Sequence, residues 1–368
     1  MPRHRLLNYK KFVRSVDWEL MERYIKARVP AGLLPPHIVM DADYIDFLLD
    51  HLKKLDREDL AGGILEGFTK INDLGHKTMN VLVQATDLYG VPRSGNERDA
   101  NLALRLYLDH PEAFQYAYDR YCLLASSSIV REHPVAKPPG KLTKAKIEAF
   151  QKLLSDFYGR QEKGYEVKVR HYDDGPESLL VVDRGSYYQI RAVWKDGKID
   201  TIAYRPADED ILIFNWNNSV LSIKASCDKD RKNYWAAFHQ AIIGDAEPEP
   251  DPEALYTLKP VREGAFDYGG DETVAGVSLL SVKLRFSKKA SVVLASGDLI
   301  KSLESEFAGH SLKAGEMIHA KLQFRVILDG REQRVNVEIA PPNVTDLSRK
   351  AYAPIIANYL LKQKVKLK

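Results

Sequence analysis

The feature that most constrains this chain is a change of hydrophobic period near Tyr165. Before it, apolar residues recur every three to four positions; after it, they alternate with polar ones. The first period buries one stripe of a helix and the second buries one face of a strand. The chain is therefore predicted to be α+β: an N-terminal helical bundle followed by two antiparallel-sheet-plus-helix regions.

The helical part carries its own boundaries. Ile45, Leu48, Leu49, Leu52 and Leu55 fall on one helical face, with Asp41 or Asp43 placed to cap its start. The stretch from Ile64 to Tyr89 continues the pattern and stops at Gly90, with Pro92 beyond. Leu102–Leu108 and Ala113–Leu124 add two amphipathic pieces, and Pro111 sits where a first turn tolerates it. Residues 131–141, with Pro134, Pro138, Pro139 and Gly140, read as a linker. One further helix is expected from Thr143 to Tyr158, stopped by Gly159.

Alternation predicts strands at 165–171, 178–183, 187–195, 198–204, 210–216 and 219–226. Asp173-Asp174-Gly175, Asp196-Gly197 and Asn217-Asn218 serve as turns between them. A helix over Asp230–Ile243 is spaced to pack on this meander. The acidic, proline-rich stretch 245–253 is a second boundary. Beyond it, strands are expected at 255–261, 277–286, 290–295, 318–328 and 333–340, with Asp329-Gly330 as a hairpin turn. Helices are expected at Gly297–Phe307 and Asp346–Leu361. A chain of 368 residues is long for one core. The breaks suggest three domains, 1–135, 142–244 and 254–368.

Composition narrows the class further. Hydrophobic residues make up 45% and charged residues 29%, the balance of a globular protein. The net charge of +3 is too small to mark a nonspecific nucleic-acid coat, so distribution matters more than total. Cys122 and Cys227 are two isolated cysteines, which fit neither a disulfide framework nor a four-cysteine zinc site and suit a reducing cytoplasm. Arg3 and Arg5 near the start are not followed by an apolar run, so neither a signal peptide nor membrane insertion is expected.

No phosphate-cradling glycine loop, His-Glu-x-x-His pair or nucleophile elbow occurs. No cofactor or metal is expected, and no catalytic residue is assigned. His171-Tyr172-Asp173-Asp174 places an imidazole beside two carboxylates, although such turns commonly bond their own backbone. Asp208-Glu209-Asp210 followed by Ser222-Ile223-Lys224 approaches the pattern of restriction-type nucleases, in which an acid on one strand and an acid-x-lysine pair on the next hold Mg²⁺. Ser222 stands where the second acid is needed, so the pattern fails at its chemistry.

Basic residues give the clearest functional pattern. Val282, Leu284 and Phe286 alternate with Lys283 and Arg285, and Lys288 and Lys289 follow at the turn. Leu322, Phe324, Val326 and Leu328 alternate with Lys321 and Arg325, and Arg334 lies outward on the next strand. On one sheet, Lys283, Arg285, Lys288, Lys289, Lys321, Arg325 and Arg334 would form a phosphate-binding face, offset nearby only by Glu332 and Glu338. Solubility alone also favours such residues on an open sheet. Lys168, Arg170, Arg191 and Lys195 repeat the pattern more weakly, and Lys10, Lys11, Arg14, Lys362, Lys364, Lys366 and Lys368 add charge near the ends.

The expected function is that of a non-enzymatic binding or adaptor subunit of a larger bacterial complex. It would contact nucleic acid through these faces, in DNA or RNA handling or antiviral defence, and a protein partner or second copy through the helical domain. The alternatives are a metal-dependent hydrolase or nuclease using Asp173, Asp174, Asp208 or Asp210, and a protein-only scaffold.

Overall fold

The computed structural model describes residues 8–35, 42–75, 79–125, 130–136, 138–195, 197–245, 254–305, 311–328, 331–350 and 352–367. Arg3, Arg5, Asp41, Asp196, Asp329, Gly330 and Lys368 lie outside the described residues. The chain is α+β and forms two compact units, Met1–Ser127 and Ser128–Lys368. No helix among the described residues is long and apolar enough to cross a membrane.

The first unit is helical: α1 (Tyr9–Val13), α2 (Trp18–Arg28), α3 (Ala42–Lys54), α4 (Glu58–Leu74), α5 (Met79–Leu88), α6 (Asp99–Asp109) and α7 (Pro111–Ala125). The spacing over Ile45–Leu52 gives α3 its buried stripe, while Leu55 falls past the helix end and is exposed. The apolar stretch from Ile64 is two helices, α4 and α5. Gly90 adopts the positive φ that ends the second. Helix α4 packs against α1, α2, α3, α6 and α7. Its Phe68 lies 5.3 Å from Phe12 and 5.2 Å from Tyr24, ring centre to ring centre. Tyr24 donates to the carbonyl of Ile64 across Gly67, where a side chain would collide with the phenol.

The second unit is built on one ten-stranded antiparallel sheet. In chain order its elements begin with β1 (Val130–Pro134), α8 (Lys144–Arg160), β2 (Val167–Asp174), β3 (Glu177–Gly185), β4 (Gln189–Lys195) and β5 (Lys198–Tyr204). There follow β6 (Ala207–Asn215), β7 (Val220–Lys224), α9 (Asp228–Phe238), α10 (Lys259–Glu263), β8 (Val274–Arg285) and β9 (Ser291–Ala295). The last are α11 (Leu299–Ser305), β10 (Glu316–Leu328), β11 (Arg331–Ala340), β12 (Val344–Thr345) and α12 (Ala353–Lys362). The order across the sheet is β2-β3-β6-β7-β1-β12-β11-β10-β8-β9, and β4 and β5 pair only with each other. The two β-rich stretches of sequence thus share one sheet, joined by β1 and β12.

Several elements of this unit differ from the sequence reading; α8, for one, runs through Gly159 to Arg160. Val130–Pro134, read as the start of a linker, is a central strand paired with β7 and β12. Pro134 is tolerated because it is the last residue and has a partner on one side only. The strand expected at 255–261 is a single bridge, Tyr256 to Lys366, followed by α10 with Pro260 in its first turn. The terminal helix begins at Ala353 with Pro354 in its first turn, later than the apolar pattern suggested.

The covered face of the sheet changes sides at its centre. Over the first five strands, Phe150, Leu154 and Tyr158 of α8 and Tyr234, Trp235 and Phe238 of α9 pack on Leu180, Val182, Leu212, Phe214, Leu221 and Ile223. His133 pairs with Leu221 and lies on that side, its ring 5.2 Å from that of Trp235. Alternation sends Glu132 and Val130 to the reverse side. Val130 pairs with Thr345, and Thr345 with Ile339 of the second core. That second core, with Leu299 of α11 and Ile356, Tyr359 and Leu360 of α12, therefore occupies the face opposite α8 and α9.

Candidate nucleic-acid interface

The basic residues predicted from alternation meet on the open face of β8, β10 and β11. Ala320, Leu322, Phe324 and Val326 point into the core, which turns Lys321, Gln323 and Arg325 outward. Pairing fixes the rows. Arg285 stands opposite Glu316, Lys283 opposite His319, Lys321 between Ser281 and Glu338, and Arg325 between Gly276 and Arg334. Register shifts in the β8–β10 ladder keep the alternation in phase on both sides of Leu280. Lys288 and Lys289 lie exposed in the turn after β8. Among the described residues of the Ser128–Lys368 unit, the helices of the second core, α11 and α12, pack on the opposite face.

Among the described residues the acids on the face are three: Glu332 and Glu338, as the sequence suggested, and Glu316, which it did not. Arg285 Nη2 lies 2.6 Å from Glu316, Lys321 Nζ 3.1 Å from Glu338, and Arg325 Nη1 3.5 Å from Glu332. His319 is 3.5 Å from Glu338. Burial alone would raise the Glu338 carboxyl, but Lys321 and His319 outweigh it and hold the pKa below its ordinary value. Arg325 also donates to the carbonyl of Ala275 at 3.0 Å, lying over Gly276, where a Cβ would occupy the guanidinium's place. Lys283, Lys288, Lys289 and Arg334 have no acidic partner among the described residues. Solvent-facing pairs of this kind contribute about 0–1 kcal/mol each, so an arriving phosphate can compete for the paired cations as well. Arg325 and Arg334 stand directly opposite one another, a like-charge pairing that an anion would relieve.

The weaker set does not assemble. Lys168 and Arg170 lie on β2 at one end of the large sheet, whereas Arg191 is on the separate β4–β5 ribbon. Arg170 is paired with Asp183 and stands 3.6 Å from Glu209. Arg191 donates to Gln189 at 3.1 Å. The side chain of Lys195 is outside the described residues.

The carboxylates considered for metal chemistry are engaged otherwise. Arg184, with no exposed side-chain surface, donates through Nε to Asp210 at 2.6 Å, through Nη1 to Asp208 at 3.1 Å and through Nη2 to Asp230 at 3.1 Å. Tyr234 donates to Asp210 at 2.8 Å, and Lys163 lies 3.3 Å from Asp230. Burial works against the guanidinium's charge, but Asp210, Tyr158 and Tyr234 together outweigh it and the Arg184 pKa is raised. The register also separates the nuclease-like pattern. Asp208 and Asp210 share the α9 side with Leu212, whereas Ser222 and Lys224 alternate to the opposite face. His171 Nε2 lies 3.0 Å from Asp173, which accepts from Ser178; Trp216 donates to Ser178 in turn. Gly175 and Pro176 make the turn itself. Among the described residues, no group of three or more His, Cys, Asp or Glu is placed to hold a metal ion.

Two features escaped the sequence reading. Arg184 lies just past the strand read at 178–183; its signal was the run Asp208-Glu209-Asp210 on the strand that pairs with it. The β4–β5 ribbon carries Ile190, Ala192 and Trp194 on the same side as Ile199, Thr201 and Ala203. Trp194 is 77% exposed and Ile190 74%. Alternation revealed the two faces of that ribbon but not that it leaves the sheet.

No protein-family model matches this sequence, and no curated protein matches it.

Proposed function

We propose that the Ser128–Lys368 unit binds nucleic acid by its phosphates on the open face of β8, β10 and β11, and that the protein acts as a non-catalytic binding subunit. The observation that carries this reading is the charge balance of that surface. Seven cations, Lys283, Arg285, Lys288, Lys289, Lys321, Arg325 and Arg334, face three acids, and four of the cations lack an acidic partner among the described residues. The bias is local, since the whole chain carries only +3. Polar neighbours, the exposed Ser291 and Asn336 and the half-buried Gln323, add neutral donors of the kind that meet phosphate and sugar oxygens. The hydrolase alternative has less support, because Arg184 holds Asp208 and Asp210.

The test is fluorescence anisotropy with labelled single- and double-stranded DNA and RNA over a salt series. Four to seven phosphate contacts give a slope of log affinity against log salt of about −3 to −6. Charge reversal at Lys283, Lys288, Lys289 and Arg334 together should weaken binding by about tenfold or more and flatten that slope. Affinity unchanged by the four reversals, or no binding at 50 mM salt (on the order of the low-salt regime), overturns the reading.

A further inference from the structure

Where the covered face of the sheet changes sides, the flank of α12 overlooks strands that it does not touch in the core. A cleft of about 380 Å³ lies there, floored by Glu132, Ser222, Ile213, Asn215 and Glu177 and walled by Ala353, Pro354, Ala357 and Leu361. The pairing of Glu132 with Ser222 and of Ser222 with Ile213 puts these three side chains in one row across β1, β7 and β6.

Two polar groups at the cleft, Glu132 and Ser348, are not fully satisfied by the protein. Glu132 is 7% exposed, yet it lines the cleft. One of its oxygens accepts from the Tyr256 hydroxyl at 2.9 Å, and the other has no donor among the described residues. Ser348 Oγ, also at the cleft, is buried without a hydrogen-bond partner. Burial raises the Glu132 carboxyl pKa, and Lys366, which reaches the same cleft without coming within ion-pair distance, pulls it down. Burying a carboxylate with a free oxygen is costly unless something supplies the missing donor. An ammonium that lines the cleft without pairing with that carboxylate leaves one charge of each sign open to it. Ala353, Pro354, Ala357 and Leu361 give the same cleft an apolar side.

We propose that this cleft binds a small zwitterionic molecule, an α-amino acid or a short peptide. Its ammonium group meets Glu132 and Glu177, its carboxylate meets Lys366, and its side chain lies against Ile213, Ala357 and Leu361. A cleft of this size is at the lower end for small-ligand sites, which suits a ligand of few atoms. The reading is independent of the phosphate-binding face, whose residues it does not share.

Saturation-transfer NMR and thermal-shift assays on the full chain test it with the twenty free amino acids and the dipeptide Gly-Leu, each at 10 mM (about the range in which weak small ligands are seen). n-Butylamine and butyrate serve as single-charge controls. At least one zwitterion is expected to give saturation transfer and raise the melting midpoint, and neither control should. Glu132→Gln keeps the acceptor for Tyr256 but not the charge, and Lys366→Met removes the ammonium; each should weaken binding by tenfold or more. Ala357→Leu on the cleft wall fills the space and should abolish it. Three outcomes overturn the proposal: no zwitterion binds, butylamine or butyrate binds as well as the zwitterion, or binding survives Ala357→Leu.

Discussion

Replacing Arg184 by methionine tests whether the buried ionic cluster is a structural clamp. Methionine keeps much of the volume and removes every donor. Asp210 and Asp230, both almost fully buried, then face each other's charge, with one hydroxyl from Tyr234 left for Asp210 and Lys163 and Ser226 left for Asp230. Breaking a buried pair by removing one partner costs about 3–5 kcal/mol. The remaining donors argue for the lower end, about 3 kcal/mol. With a urea slope of about 2–3 kcal/mol/M, that is a fall in midpoint of about 1–1.5 M for this unit at pH 7.5. The pH dependence gives a second, independent reading. Burial already raises the Asp210 carboxyl pKa, with Arg184 and Tyr234 pulling it down. Without Arg184 it rises further. A group whose folded pKa is raised contributes stability below its unfolded pKa and loses it as pH rises through the folded value. The variant should therefore recover towards the native protein as pH falls from 7.5 to 5, and Arg184→Met/Asp210→Asn should be more stable at pH 7.5 than Arg184→Met alone. Urea titrations followed by tryptophan fluorescence measure all three. A midpoint within about 0.3 M of the native protein at pH 7.5, or a deficit that does not change with pH, would show that the carboxylates are not held by this arginine.

Two further outcomes follow from single buried or exposed groups. Burial, with Arg231 and Arg131 nearby, pushes the His133 imidazole down to about 4, so its neutral form is favoured in the folded state. The stability it contributes is present above about pH 6.5 and is lost as pH falls through 4, by up to about 3 kcal/mol; His133→Gln should flatten that loss in acid-denaturation curves, and an NMR titration placing this histidine near 6.5 refutes the assignment. Trp194, on the exposed face of the β4–β5 ribbon, should dominate acrylamide quenching, and Trp194→Phe should reduce quenching and shift emission to the blue; unchanged quenching would mean that the ribbon face is covered in solution.

The parts of the fold legible in the sequence are those in which one local signal decides the matter. Gly90 ends α5 because only a residue at ease with positive φ closes that turn, and the period-two runs give β8, β10 and β11 with the basic residues already on the outward side. The open face was legible for the same reason. Its third acid was not: Glu316 lies just before the predicted strand and meets Arg285 only through the β8–β10 register, which depends on bulges. β1 was hidden by brevity and by Pro134, and β12, two residues long, carries no pattern at all. The ribbon β4–β5 alternates like its neighbours, and nothing in alternation says which strand a segment pairs with. Arg184 and Glu132 were missed for a related reason. Each lies beside another polar residue in sequence, Asp183 or Arg131, and its meaning depends on what another strand places across from it.

Both proposed sites trace to one consequence of topology. An antiparallel sheet can keep one face dry and one wet, and its strands then alternate cleanly. Here ten strands share a sheet while the helices cover opposite faces of its two halves. Over β8, β10 and β11 the side without helices is long enough to gather a row of cations at regular spacing. At the centre, β1 passes from one regime to the other, so its residues cannot follow either half's pattern: His133 is buried under α9, and Glu132 is buried on the reverse side, at the edge of what α12 covers. The carboxylate at that changeover is buried by its neighbours yet receives a single donor, the Tyr256 hydroxyl. That is why the cleft, rather than any sequence motif, is the place where a small ligand would complete the unit's hydrogen bonding.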